Sequence, residues 1–207
     1  MSKQLPFIVM IVVFVGSLLF DNYLKKKRDQ YTSHLVKLVT DGNFEEFDKE
    51  INSDEAKKNI PPANIDILKF NVAIMRNKQN DVQEIFDSFE TKRLSNDAKL
   101  TIYTRALGYF TTTSDVTRCK KCYDIIMALP KNEQTKTSVQ RVYEIMVEKK
   151  TDKLNELLDE VNTITGMPKC IDEFLISEIY TNMKDDVNAK KYSELAKEHL
   201  ENNAELK

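Results

Sequence analysis

SNDAKLTIYTRALGYFTTTSDVTRCKKCYDIIMALP, residues 95–130, reads as two helices folded back on one another. Ser95-Asn96-Asp97 is a start signal, because short polar side chains accept hydrogen bonds from the first free amides of a helix. Leu100, Tyr103, Ala106, Leu107 and Phe110 then recur at three- and four-residue steps, the spacing of one helical face. Thr111 to Asp115 breaks the pattern. Val116, Cys119, Tyr123 and Ile126 resume it on a facing helix, which Pro130 ends because proline lacks the amide that a helix interior needs.

The same arrangement is legible on both sides. Tyr31–Thr40 and Phe44–Ile51 form a pair around Asp41-Gly42-Asn43, where glycine suits a left-handed helix end and Asn43 a cap. Pro61-Pro62 marks a boundary. Ala63–Asn77 follows with Ile67, Leu68, Phe70, Val72, Ala73, Ile74 and Met75, and Asn80-Asp81 caps a partner carrying Val82, Ile85, Phe86 and Phe89. Beyond residue 130, Ser138–Lys150 pairs with Lys153–Thr163. After Gly166-Met167-Pro168, Ile171, Leu175, Ile179 and Met183 face Val187, Tyr192, Leu195, Ala196 and Leu200. Four glycines and five prolines leave the chain free to be helical, and no run alternates with the period of two that a strand requires.

The pairs recur. The first apolar residues of the second helices, Phe44, Val82, Val116, Leu154 and Val187, lie 38, 34, 38 and 33 residues apart. Pro62 to Pro130 is 68 residues and Pro130 to Pro168 is 38. Two helices per unit at a period in the mid-thirties, with Ala106-Leu107-Gly108, Ser114-Asp115-Val116, Cys119, Tyr123 and Leu129-Pro130 in the third unit, resemble a degenerate tetratricopeptide repeat protein over roughly residues 29–203. Ala189 and Ala196, seven residues apart, with Ser177 and Ala73 as small residues of first helices, are similar to that family as well. The chain departs from it in having no tryptophan and in placing Leu35 and Ile145 where small residues are expected. The alternative is an irregular helical bundle.

The resemblance implies a concave surface, lined by the first helix of each unit, that takes an extended peptide or a partner helix. Stepping by one period gives three columns: Phe70, Ile74 and Lys78; Thr104, Gly108 and Thr112; Val142, Met146 and Lys150. Four-residue steps keep each column on one face. Gly108 admits a close ligand backbone, and Lys78 and Lys150 suit an acidic group. The competing role for Phe70, Ile74 and Val142 is packing between helices.

Leu5 to Phe20 is a separate element, an uncharged apolar run followed by Lys25-Lys26-Lys27-Arg28. With Asp21, Asn22, Tyr23 and Leu24 at an interface, it approaches the roughly 20 residues that span a bilayer. The expected fold class is therefore all-α: an N-terminal transmembrane helix, then an array of antiparallel helical hairpins forming a tetratricopeptide-like α-solenoid. The anchor with its basic flank takes residues 1–28 and the repeat domain residues 29–207. Residues 1–28 carry a net charge of +4 and the rest −6; four basic residues follow the run and only Lys3 and the terminal amine precede it, so the positive-inside rule predicts a cytoplasmic domain. The alternatives are cleavage as a secretory signal at Val15-Gly16-Ser17, a domain outside the membrane, or a mitochondrial outer-membrane receptor in a eukaryote.

An acidic domain lacks the basic face that nucleic acid requires. Cys119-Lys120-Lys121-Cys122 has the spacing of a dithiol motif but lies inside a helix with no strand before it, so core packing is expected. Zinc needs four ligands, and His34 and His199 are remote in sequence. No glycine-rich phosphate loop or nucleophile–base pair is present. The sequence thus predicts a non-enzymatic membrane-tethered scaffold that binds a protein or peptide, with no cofactor, metal or small-molecule substrate. The alternative is an extracytoplasmic chaperone or secretion accessory of the same architecture.

Overall fold

The computed structural model describes residues 28–205 and residue 26, with side chains through residue 202. Every regular element among them is helical. Residues 28–40 form α1; then follow α2 (Phe44–Ile51), α3 (Asp54–Asn59), α4 (Pro62–Met75), α5 (Gln79–Ser88), a 3₁₀ turn (Phe89–Thr91), α6 (Asn96–Thr112), α7 (Val116–Ala128), α8 (Glu133–Met146), α9 (Leu154–Glu160), α10 (Met167–Asn182) and α11 (Asp186–Glu205). The chain divides into two compact units, Met1–Leu94 and Ser95–Lys207.

Backbone conformation gives the recurrence a firmer ruler than hydrophobicity. Gly42, Asn77, Ser114, Lys149 and Lys184 all have positive φ, at intervals of 35, 37, 35 and 35 residues. Each follows the first helix of a pair. At Gly42, Asn77, Ser114 and Lys184 the amide bonds the carbonyl three residues back. The next amide reaches five back, at 2.8 to 3.0 Å. These two bonds are a Schellman turn, which satisfies helix-end carbonyls and reverses the chain. The second helix starts two residues after the left-handed residue in four pairs, at Phe44, Gln79, Val116 and Asp186. In the fourth pair Leu154 starts five residues after Lys149.

Capping follows the start signals in part. Ser95 accepts the Ala98 amide at 3.2 Å and Asp115 the Arg118 amide at 3.0 Å. Burial alone would raise the Asp115 carboxyl, but hydrogen bonds from the Arg118 amide and guanidinium hold it below its ordinary value. Asn43 makes no side-chain cap, and α5 begins at Gln79, ahead of Asn80-Asp81, without one. The Schellman turn already sets the backbone there. Pro62 and Pro168 sit in first helical turns and Leu129-Pro130 ends α7 in extended backbone. The sequence reading omits α3, a six-residue helix capped by Ser53.

In the first unit Leu35, Leu38, Phe47, Ile51, Ile60 and Val72 form one core, and Phe70 lies against Phe86 and Phe89 at ring-centroid distances of 6.4 and 5.6 Å. In the second unit α6 packs closely on α7 and α10 on α11, with Ile145, Leu157, Leu175, Ile176 and Ile179 central. Asn182 donates to the Ile145 carbonyl at 2.9 Å and Ser177 to the Ala189 carbonyl at 2.8 Å, two polar ties between helices.

The transmembrane part of the expected fold class is corrected. No described helix is long and apolar enough to cross a membrane. Even the 20-residue α11 carries Lys190, Lys191, Glu194, Lys197, Glu198 and Glu201. Leu5–Phe20 lies outside the described residues, so the single-pass anchor and the cytoplasmic placement resting on it are not carried forward.

The turn residues predict opposite responses. A Cβ at Gly42 meets nothing within 4 Å, so Gly42→Ala tests backbone strain alone. It should destabilise by about 1 kcal/mol, whereas Lys184→Gly should stabilise by up to about 1 kcal/mol. Urea unfolding midpoints of the two variants should move in opposite directions.

Candidate functional site

The left-handed residues also fix which positions are equivalent. Seven residues before them stand Leu35, Phe70, Leu107, Val142 and Ser177. Phe70 therefore corresponds to the buried Leu107, whereas Gly108 is one position further on and faces solvent. The Phe70 and Val142 columns thus share one register, and the Thr104 column, set 34 residues after the first and 38 before the third, is displaced from both. One residue of a helix is a turn of about 100°. Ala73 and Ile145, four residues before their turns, likewise differ from the small-residue position of Ser177.

The structure places the eight expected binding residues as follows. In the first unit Phe70 is 1% exposed and belongs to the core, so it has no surface to offer a ligand. Ile74 is half-buried; Lys78 is exposed and pairs with Asp81 at 3.6 Å. In the second unit Thr104, Gly108 and Thr112 are exposed on α6, and Met146 is half-buried at the end of α8. Lys150 is already engaged by Glu148 at 2.9 Å and Glu144 at 3.2 Å. Those bonds raise the Lys150 ammonium pKa, with Glu148 the first contributor. Glu144 is held below the ordinary carboxylate range by its bond from Gln140, which with Lys150 outweighs burial.

Two of these residues, Thr112 and Met146, come together in a cleft of about 360 Å³ in the second unit. Val116, Val147, Phe174 and Glu178 complete its main walls, so α6, α7, α8 and α10 all contribute. Val116 is 58% exposed and Phe174 41%, large apolar surfaces left open to water. The shared register explains the convergence. Thr112 and Val147 lie two residues before Ser114 and Lys149, and Phe174 and Glu178 lie ten and six before Lys184. Phe174 and Glu178 are thus the α10 counterparts of Thr104 and Gly108, 70 residues on. Stepping the α6 column by 35 instead of by irregular intervals identifies Val147, Phe174 and Glu178 in the sequence.

Cys119 borders this cleft but is 1% exposed. Burial, with the nearby Asp115 charge, pushes its thiol up to about 11. Burial pushes the Cys122 thiol higher still. The thiolate, the reactive form, is disfavoured at both. Among the described residues no group of His, Cys, Asp and Glu is arranged to hold a metal ion.

A second cavity, of about 420 Å³, contains the charged tie of the fourth pair. Arg141 on α8 reaches Glu156 at 2.9 Å and Glu160 at 3.0 Å on α9, and Asp172 on α10 at 3.6 Å. Asp172, with its side chain 9% exposed, has its pKa raised by burial and then by the Glu160 charge, against the pull of Arg141. These groups answer one another, and the cluster joins three helices.

The fold and cleft define an all-helical protein of paired antiparallel helices with an open apolar cleft in its second unit. No protein-family model, curated protein or solved structure matches the chain.

Two predictions follow from this geometry. A Cβ at Gly108 meets nothing within 4 Å, so internal packing does not require glycine there. Gly108→Ala should therefore stabilise the protein by about 0.5–1 kcal/mol in chemical denaturation. For Asp172, a raised folded-state pKa means that stability is lost as pH rises through that value. Asp172→Asn should be more stable than the native chain at pH 7, and the gain should shrink toward zero as pH falls below the ordinary aspartate range. A gain independent of pH would contradict the assignment.

Proposed function

We propose that the protein is a tetratricopeptide-like binding module whose second unit holds a segment of a partner polypeptide in the α6–α7–α8–α10 cleft. The observation that carries the reading is the convergence of Val116, Met146, Val147 and Phe174 on one open cleft from three consecutive helix pairs. Apolar side chains left exposed together bury favourably against a partner, by about 25 cal/mol per Å² of apolar surface removed from water. The exposed Thr112 beside them leaves room for polar contact along the same wall.

The five turns spaced by 35 to 37 residues support the likeness to tetratricopeptide repeats. The second helices add to it. Phe47, Val82, Cys119, Leu157 and Ala189 each donate their amide to the residue four before, and each is buried. They are the same structural position filled by five different residues. The burial of Cys119 and Cys122, which raises both thiols, favours packing over thiol chemistry at these two residues.

A photoreactive phenylalanine analogue at Phe174 or at Thr112 should give a discrete adduct with the same partner in extracts of the source cells. Placed at Lys190, whose side chain is 78% exposed on α11, it should not. Adducts of equal yield at all three positions, or at none, would overturn the reading.

A further inference from the structure

Helix α10 carries three carboxylates, Asp172, Glu173 and Glu178, and two of them are answered within the protein. Asp172 faces Arg141 at 3.6 Å, and Glu173 meets His199 Nδ1 at 2.7 Å. Among the described residues Glu178 has neither a hydrogen bond nor an ion pair, although it is half-buried and lines the cleft one helical turn after Phe174. The cleft's own cation, Lys149, makes no ion pair among the described residues and sits exposed on the left-handed turn after α8, where water solvates it at no cost. A half-buried carboxylate beside an aromatic ring gains more from a cationic partner than a fully solvated ammonium gains from an anionic one, because burial weakens hydration and screening.

We propose that the cleft selects a polypeptide segment presenting a basic side chain next to apolar ones, with the apolar groups against Phe174 and Met146 and the cation on Glu178. This names the partner chemistry of the site proposed above and rests on that reading. The i, i+4 spacing of Phe174 and Glu178 puts both on one face of α10, so adjacent side chains of one ligand reach both. Long basic side chains suit such a site, since their methylene stems cover apolar surface while the charged end reaches the carboxylate.

The test uses the full chain and three fluorescent peptides, acetyl-Leu-Leu-Lys-Leu-Leu-amide and its Glu and Gln counterparts, with binding read by anisotropy. The Lys peptide should bind at least about fivefold more tightly than the Glu peptide, and Glu178→Gln should reduce that ratio to below about twofold. Lys149→Gln should tighten the Lys peptide or leave it unchanged; a Glu peptide that binds the native protein more tightly than the Lys peptide, and that Lys149→Gln weakens, would assign recognition to an anionic ligand and overturn the proposal. Equal affinity of the native protein for all three peptides removes the charge selectivity but leaves peptide binding standing. Failure of all three to bind overturns both. If the protein instead forms a dimer that Phe174→Asp splits, as read by size-exclusion chromatography, the cleft is occupied by a second copy and the proposal falls. Circular dichroism of Glu178→Gln controls for folding.

Discussion

The Schellman turn is the interaction on which the other features depend. A helix that simply stops leaves carbonyls unsatisfied at its end, and a following helix in arbitrary direction need not pack against it. One residue in the left-handed region solves both problems, since its own amide and the next one return to the preceding turn while the chain reverses. In four of the five pairs this geometry is repeated with the same two hydrogen bonds, and each second helix begins two residues later. The phase of both helices is then set relative to the turn. Burial at a given distance from it follows.

That phase explains how an architecture recurs without recurring residues. Four positions after the residue that precedes each second helix, the side chain is buried whether it is Phe47, Val82, Cys119, Leu157 or Ala189. Neighbouring layers adjust in volume, because a core tolerates varied hydrophobic residues provided its total filling is kept. Phe70 in the first unit is compensated by contact with Phe86 and Phe89, and the small Ser177 in the second by a hydrogen bond to the Ala189 carbonyl. Polar and apolar solutions thus occupy one position of the repeat. A motif search based on residue identity has little to hold.

Apart from the six-residue α3, the helices and their pairing were legible because they depend on period and on breakers such as Pro62, Pro130 and Pro168. Register was not, for a physical reason. The turn residue is glycine only at Gly42; elsewhere Asn77, Ser114, Lys149 and Lys184 adopt positive φ, and serine and lysine give no signal of it in a sequence. The first apolar residue of each second helix proved a poor substitute. Val116 and Val187 are 58% and 80% exposed, so they mark where a helix starts and not which side packs. The α6 column of Thr104, Gly108 and Thr112 therefore landed on an open face, whereas Phe70 landed in the core. Phe174 and Glu178 were passed over although they repeat that open face two periods later.

The fourth pair is where the regularity fails, and the cleft lies beside it. Three additional residues separate Lys149 from α9, the Lys150 amide reaches six residues back to Glu144 instead of five, and α9 is seven residues long. Such a short helix buries little of its own, so its attachment relies on Leu157 and Val161 and on Arg141 bridging to Glu156, Glu160 and Asp172. Removing one carboxylate from such a network leaves the guanidinium partnered; removing Arg141 leaves Glu160 beside the buried Asp172, whereas Glu156 keeps Lys153 at 3.1 Å. The asymmetry makes Arg141 the member whose loss matters most. The departure from a turn repeated so closely elsewhere lies next to Met146, Val147 and Phe174, the surface proposed above to take a partner.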